Sequence, residues 1–88
     1  MPKNKILKHF GTKSQLKRLT IACGKLSCAC GEYIAAQDDK NLKYLARKIA
    51  NVEFLHDQIK ESFNLGEDVY RYKYQLKDKL EREIEKAG

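Results

Sequence analysis

The stretch LKRLTIACGKLSCACGEY, residues 16–33, decides the fold of this chain. Its larger apolar residues recur at intervals of 3, 4, 3, 4 and 3, a spacing that holds them on one face of an α-helix. They are Leu16, Leu19, Cys23, Leu26, Cys30 and Tyr33. Thr12 and Gln15 precede the stretch at the spacing of a capping box, so the pattern predicts a helix over about residues 13–36.

A second helix is predicted over about residues 40–64. Its apolar face begins with the same heptad spacing over residues 42–52. Ile59 and Phe63 continue this face, and Leu55 widens it. It consists of Leu42, Leu45, Ile49, Val52, Leu55, Ile59 and Phe63, with His56 at the interior or boundary of the face. Asp38 or Asp39 can cap the start, and Asn64 or Gly66 can adopt the left-handed conformation of a C-cap. Two helices of equal length with so short a connection are expected to pack antiparallel as a hairpin.

The last segment allows two interpretations. Residues 68–75 alternate aromatic and polar side chains, which is a strand-like period. A helical stripe also runs through Val69, Tyr72, Leu76, Leu80 and Ile84. We favour a helix over residues 67–86, because a lone strand would find no partner strand in this chain. Tyr70, Tyr72 and Tyr74 would then either pack against the hairpin or present their rings to nucleic-acid bases.

The predicted fold class is therefore all-α. An antiparallel helical hairpin plus a third helix would form a three-helix bundle or a helical oligomer. Residues 12–88 make a single helical domain, and residues 1–11 form a basic N-terminal arm, either a short helical turn or a disordered tail.

Charge is distributed unevenly along the chain. Seven of the 18 Lys and Arg residues precede Glu32, the first acidic residue, and the net charge of +6 comes from this part of the chain. We call them the N-terminal basic group: Lys3, Lys5, Lys8, Lys13, Lys17, Arg18 and Lys25. A second basic group comprises Lys40, Lys43, Arg47 and Lys48. Such concentration predicts an anionic binding partner, although in a hairpin the second group would lie far from Lys13.

Small residues form a third pattern within the first helix. Two sets recur every seven residues, and we call them together the small-residue group: Ala22, Gly24, Ala29, Gly31 and Ala36. Glycine inside a helix costs about 1 kcal/mol relative to alanine, so two of them favour close approach of another backbone. That backbone would belong to another helix of the chain or to another subunit, which makes a homo-oligomer the expected state.

Catalytic, metal and cofactor sites are not indicated. No nucleophile elbow, zinc-protease motif, Walker loop or dinucleotide fingerprint is present, so we expect no enzyme and no cofactor. Cys23, Cys28 and Cys30 lack structural-zinc spacing, and Cys23 and Cys30 are expected to pack as small apolar side chains. An odd number of cysteines without an export signal suggests a reducing, cytoplasmic setting. No apolar run suits a membrane.

The preferred functional hypothesis is a small, non-catalytic binding protein. It would contact the phosphates of RNA or DNA through the N-terminal basic group, without strong sequence preference. The alternative is a protein–protein interaction or inhibitor module of the phage or plasmid accessory type. In one form of this alternative, the partner is a protein with an acidic surface. In another form, an oligomer of the chain holds a small anionic ligand such as a nucleotide.

Overall fold

The structure, a computed structural model, describes residues 4–88 and contains four α-helices. They are α1 (Lys5–Phe10), α2 (Thr12–Ala35), α3 (Asp39–Ser62) and α4 (Gly66–Ala87). No strand occurs within residues 4–88, so the all-α prediction is confirmed. Residues 67–75, for which a strand was the alternative, belong to α4, and Lys5–Phe10 of the basic arm form a short helix.

The junction between α1 and α2 differs from the predicted capping box. Gly11 occupies the N-cap position of α2, and no side chain caps this helix. Gly11 has φ 82° and ψ 157°, a conformation essentially restricted to glycine. The Thr12 hydroxyl hydrogen-bonds the Ser62 hydroxyl, and the Gln15 side chain is buried. The Thr12 and Gln15 side chains therefore bind residues of α3 and do not form the predicted capping box.

The connections at the two ends of α3 follow the local sequence signals. Asp38 caps α3, since its Oδ1 accepts a hydrogen bond of 2.8 Å from the Asn41 backbone N–H. Asn64 has φ 54°, and the Leu65 N–H beyond it donates to the Lys60 carbonyl at 2.8 Å. This is a Schellman C-cap, so the left-handed role predicted for Asn64 is confirmed.

Helices α2 and α3 pack along their lengths, and their contacts run in opposite chain directions. Thr12 at the start of α2 meets Ser62 at the end of α3, and Gln15 meets Gln58. At the other end, the Asn41 side chain of α3 donates to the Ala36 carbonyl at 2.9 Å. The buried apolar residues between the helices are few and mostly small: Ala22, Ala29, Val52 and Leu55.

The buried face of each helix is rotated by one residue from the predicted face. In α2, Gln15, Ala22 and Ala29 are buried, whereas the predicted Leu16, Cys23 and Cys30 are exposed. In α3, Gln58 is buried beside the predicted Leu55, while the predicted Leu42, Ile49, His56 and Phe63 are exposed. The predictions for Leu19, Leu26, Tyr33, Leu45, Val52 and Ile59, which lie at the boundary of the interface or inside it, agree with the structure.

The reason for the rotation is the choice between two adjacent heptad lines. Successive residues lie about 100° apart on a helix, so the lines through Ala22 and Cys23 both border Leu19 and Leu26. Alanine lets the two backbones approach closely, and Val52 and Leu55 of α3 fill the space. The larger residues on the neighbouring lines, including Leu16 and Ile49, consequently remain outside the interface.

Helix α4 contacts the rest of the chain near its first turns. Val69 and Lys73 line a hollow together with Leu19, His56 and Ile59. Beyond Val69 its apolar stripe is exposed. The radius of gyration is 16.5 Å, whereas a compact domain of this length has about 12 Å. A single chain therefore leaves α4 largely unpacked.

Candidate nucleic-acid interface

The N-terminal basic group occupies α1 and the first half of α2. Lys3 lies outside the described residues. The other six members all have exposed side chains: Lys5, Lys8, Lys13, Lys17, Arg18 and Lys25. Lys13 and Lys17 lie on the side of α2 that faces away from α3, because each is offset by roughly 160° from the buried Gln15. The structure thus displays these cations on the surface.

None of the ion pairs among residues 4–88 uses a cation of this group. Five pairs occur there, and each joins residues three or four apart within one helix. Lys43–Asp39 at 3.4 Å lies at the start of α3, Lys60–Asp57 at 3.0 Å lies near its end, and the other three lie in α4. No carboxylate in residues 4–88 therefore neutralises the exposed amines of α1 and α2 by direct contact.

Arg18 joins the two basic helices. Its guanidinium carbon lies 3.9 Å from the centre of the Phe10 ring, which is a close cation–π contact. The His9 ring meets the same phenyl ring edge-on, with centroids 4.7 Å apart. This contact holds the end of α1 against α2, so Lys5 and Lys8 of α1 keep a defined position beside the cations of α2.

A shallow groove runs beside the α2–α3 interface on the side that carries α1. Ile6 of α1, Arg18 and Lys25 of α2, and Asn51 and Phe54 of α3 line it. The buried Gln15, Ala22 and Leu55 also line it, so its base combines an amide with apolar groups, and its α2 wall is cationic. Such a surface can receive an anionic chain that also presents flat apolar groups.

The second basic group continues the α3 wall of this groove. Arg47 precedes Phe54 by seven residues and Lys40 precedes Arg47 by seven, so the three share one face of the helix. The Lys48 ammonium lies 5.1 Å from the centre of the Tyr44 ring, and Lys43 is paired with Asp39. Arg18 and Lys25 lie in α2 between Lys13 and the end of the helix next to Lys40, so cations occupy part of the distance that separates Lys13 from the second basic group.

The small-residue group is divided between two opposite faces of α2. Ala22 and Ala29 are buried, and Ala22 contacts the α3 core residues Val52 and Leu55. Gly24 and Gly31 lie on the far face, where a Cβ atom would meet nothing within 4 Å. Ala36 is exposed at the C-cap. Close helix packing therefore accounts for the alanines, while the two glycines border the face that carries Lys13 and Lys17.

Several single residues differ from the sequence-based expectations. Cys23, Cys28 and Cys30 are free and exposed, so the expected packing of Cys23 and Cys30 in the core is wrong. His56 is exposed rather than interior. Tyr70, Tyr72 and Tyr74, for which the sequence left both packing and exposure open, are exposed, and the Arg71 guanidinium carbon lies 5.1 Å from the Tyr72 ring centre. The sequence pattern did not predict that Gln15 and Gln58 are buried together at the α2–α3 interface.

No cluster of three or more metal-binding side chains is found within residues 4–88. Of the four helices described, none has the length and apolar content required to cross a membrane. Comparisons with protein-family models, with curated proteins and with solved structures gave no match for this chain. Its function must therefore be inferred from the surface itself.

Proposed function

We propose that this protein binds RNA or DNA through the N-terminal basic group and has no catalytic activity. The observation that carries the proposal is the set of six exposed cations on α1 and α2, none of which forms an ion pair within residues 4–88. Like charges so arranged repel one another, and a polyphosphate chain relieves that repulsion while releasing its own counterions.

The acidic residues of α3 are divided around the helix. Glu53 follows Asn51 of the groove by two residues and therefore points about 200° away around the helix. Asp57 continues the row of Glu53, since it follows by four residues, and its carboxylate pairs with Lys60. Glu61, in contrast, follows Phe54 by seven residues and shares its face, and its Oε2 accepts a hydrogen bond of 2.9 Å from the Asn4 side chain beside α1. The case for an anionic ligand therefore rests on the cations of α1 and α2, which are unpaired within residues 4–88, and not on a lack of carboxylates nearby.

The contacts available are charge contacts with limited geometric selectivity. Lysine ammonium groups bind phosphate as point charges, and Arg18 already directs its guanidinium plane at Phe10. None of the four helices within residues 4–88 carries a recognised device for reading base edges. We therefore expect binding with little sequence preference and a steep dependence on salt, with a slope of about −0.9 per phosphate contact on a duplex.

Charge reversal on the outer face of α2 tests the proposal. Lys13→Glu with Lys17→Glu leaves the Arg18–Phe10 stack untouched, so α1 should keep its place. Fluorescence anisotropy with labelled ~20-nucleotide single strands and duplexes should show at least roughly tenfold weaker binding. The slope of log affinity against log salt should fall by about 2, because two phosphate contacts are lost.

The matched control reverses two cations elsewhere. Arg82→Glu with Lys86→Glu makes the same change in net charge on α4, far along the sequence from the basic arm. This control should bind nearly as well as the wild type. Equal losses in both variants would mean that only total charge matters, and undiminished binding by the α2 variant would overturn the proposal.

A second pair of substitutions locates the path of the nucleic acid. Lys25→Glu reverses a cation on the α2 wall of the groove, and Arg47→Glu reverses a cation on the continuation of its α3 wall. If the strand follows the groove from α2 toward the second basic group, this variant should lose affinity as the outer-face variant does. Full affinity would confine the contact to α1 and the outer face of α2.

The alternative function, a protein–protein interaction or inhibitor module, is favoured by a different observation. Leu16, Leu42 and Ile49 are 40%, 47% and 40% exposed on the side of the hairpin opposite the groove. Such apolar side chains can receive a protein partner. Pull-down after nuclease treatment separates the two functions, because a partner that binds through protein contacts survives the nuclease.

We also propose that the protein works in the cytoplasm as a homo-oligomer. Three free, exposed thiols support a reducing compartment. The apolar surface that a single chain leaves exposed supports association between copies, and α4 offers the most specific surface for it.

A further inference from the structure

Helix α4 carries an apolar row that nothing in the described chain covers. Tyr72, Leu76, Leu80 and Ile84 follow one another at intervals of four residues and form a single ridge on the helix. They are 60%, 56%, 48% and 70% exposed. A soluble helix normally turns such a ridge toward a packing partner, and the short contact of α4 with α2 and α3 ends near Lys73.

The charges beside this ridge are ordered by sign. In the adjacent row, each residue directly follows one residue of the ridge. This row contains Lys73, Lys77, Glu81 and Glu85. Its signs therefore read plus, plus, minus, minus from the start of the helix to its end. On the other side of the ridge, Arg71 lies near the start and Glu83 near the end, which repeats the polarity.

We propose that α4 binds α4 of a second copy of this chain in the antiparallel direction. The ridge is symmetric about its midpoint, so Leu76 of one copy would meet Leu80 of the other, and Tyr72 would meet Ile84. In a two-fold antiparallel pair each flanking row meets its own reversed copy. Lys73 and Lys77 would then lie opposite Glu85 and Glu81 of the second copy.

The parallel arrangement is disfavoured by the same charges. In two parallel copies each flanking row would meet the opposite flank of the partner, so Lys73 would lie near Arg71 and Glu85 near Glu83, which is repulsive at both ends. Within one chain, Lys77 contacts Glu81 at 3.1 Å, but both side chains are largely exposed. Exposed ion pairs of this kind contribute little, so exchanging that partner for one in the second copy costs little.

The dimer should be weak and concentration-dependent. Helix α4 has 22 residues and hence a length of about 33 Å, which makes a smaller interface than a standard protein complex. We expect a dissociation constant on the order of 10–100 µM, weaker than the µM-to-pM range of standard-size interfaces. Sedimentation velocity of the full chain between about 5 and 500 µM should therefore show a shift from monomer to dimer.

Paired charge reversals test the partner and its direction. Lys73→Glu with Lys77→Glu makes the row entirely acidic, and Glu81→Lys with Glu85→Lys makes it entirely basic. Each variant alone should dimerise at least roughly tenfold more weakly than the wild type, and an equimolar mixture should form a one-to-one heterodimer. Circular dichroism should show unchanged helix content, since lysine and glutamate have similar helix propensities.

The matched control reverses cations on the opposite side of α4. Arg82→Glu with Lys86→Glu changes the net charge as much as Lys73→Glu with Lys77→Glu, and it should leave dimerisation near the wild-type value. Leu76→Lys, which places a charge in the apolar ridge, should abolish the dimer. Raising the salt concentration should weaken an antiparallel dimer, because its flanking charges attract.

Four results would overturn the proposal. The first is a wild type that stays monomeric up to about 500 µM, well above the expected constant. The second is a mixture of the two charge variants that fails to form a heterodimer. The third is a dimer that strengthens with salt, which would indicate parallel packing, and the fourth is a dimer insensitive to Leu76→Lys. Nucleic-acid binding is measured separately, so either proposal can fail without the other.

Discussion

The buried glutamines at the α2–α3 interface make a specific prediction about stability. Gln15 is 1% exposed and Gln58 is 4% exposed, so both amides lie in the core between the two helices. Gln15 Nε2 donates to Gln58 Oε1 over a long 3.4 Å, and Gln15 Oε1 has no hydrogen-bond partner among residues 4–88. Removing both amides together should therefore stabilise the protein.

The expected magnitude follows from the groups involved. A buried acceptor without a partner costs about 1–3 kcal/mol, whereas one neutral hydrogen bond contributes only about 0.5–1.5 kcal/mol net. Leucine at both positions removes the unpaired acceptor, sacrifices that one bond and adds apolar surface to a small core. We expect Gln15→Leu with Gln58→Leu to raise the free energy of unfolding by about 1–3 kcal/mol. Each kcal/mol should raise the melting temperature by about 4–8 °C.

The single variant Gln58→Leu should behave in the opposite way. Gln58→Leu removes the acceptor of the Gln15 Nε2 hydrogen bond, so both polar atoms of the Gln15 amide are then buried without a partner among the described residues. This variant should lower the free energy of unfolding by about 1–3 kcal/mol. Thermal and urea unfolding followed by circular dichroism, at one low protein concentration, measures all three variants. The non-additivity between the single and double variants then reports the coupling of the two amides.

An exposed glutamine supplies the control. Gln37 lies in the connection between α2 and α3, and Gln37→Leu should change the stability by less than about 0.5 kcal/mol. The reasoning is refuted if the double variant melts at or below the wild-type temperature. It is also refuted if both single variants are as stable as the double variant, since the two amides would then not depend on each other.

Three further predictions concern the helix ends and the thiols. Gly11→Ala should lower stability by about 1–3 kcal/mol, measured by urea unfolding, because φ 82° with ψ 157° strains any residue with a Cβ atom. Asp38→Ala should cost about 1 kcal/mol in the same assay through loss of the α3 N-cap, whereas Asp38→Asn should retain most of it. A thiol reagent should titrate Cys23, Cys28 and Cys30 rapidly in the native protein, and protection of two of them would support core packing of the predicted face.

Local signals in the sequence predicted the helices and their ends well. Asp38 and Asn64 act within a few residues, and each was found in the predicted role. The heptad spacing predicted the helices themselves but not the face that each of them buries. The predicted bounds of 13–36, 40–64 and 67–86 lie within two residues of those observed for α2, α3 and α4. The exception is the capping box, because Gln15 had a competing partner in Gln58, far away in the sequence.

The candidate nucleic-acid interface also has features that the sequence predicted and features that it did not. The absence of an acidic residue before Glu32 is a property of the sequence, and it made the cationic character of α1 and α2 predictable. The relation between the two basic groups was not predictable, because it depends on which side of α2 faces α3. The opposite placement of Ala22 and Gly24 followed from the same choice.

The sequence by itself determined an all-helical chain, the helix ends and the cationic start, since these depend on neighbouring residues and composition. Only the tertiary structure decided which of two adjacent heptad lines is buried. Both lines border Leu19 and Leu26, and the periodic pattern cannot distinguish a close contact through Ala22 from a wider one through Cys23. That choice is made by the fit of α2 against α3, and it leaves the larger apolar residues and the ridge of α4 exposed for other contacts.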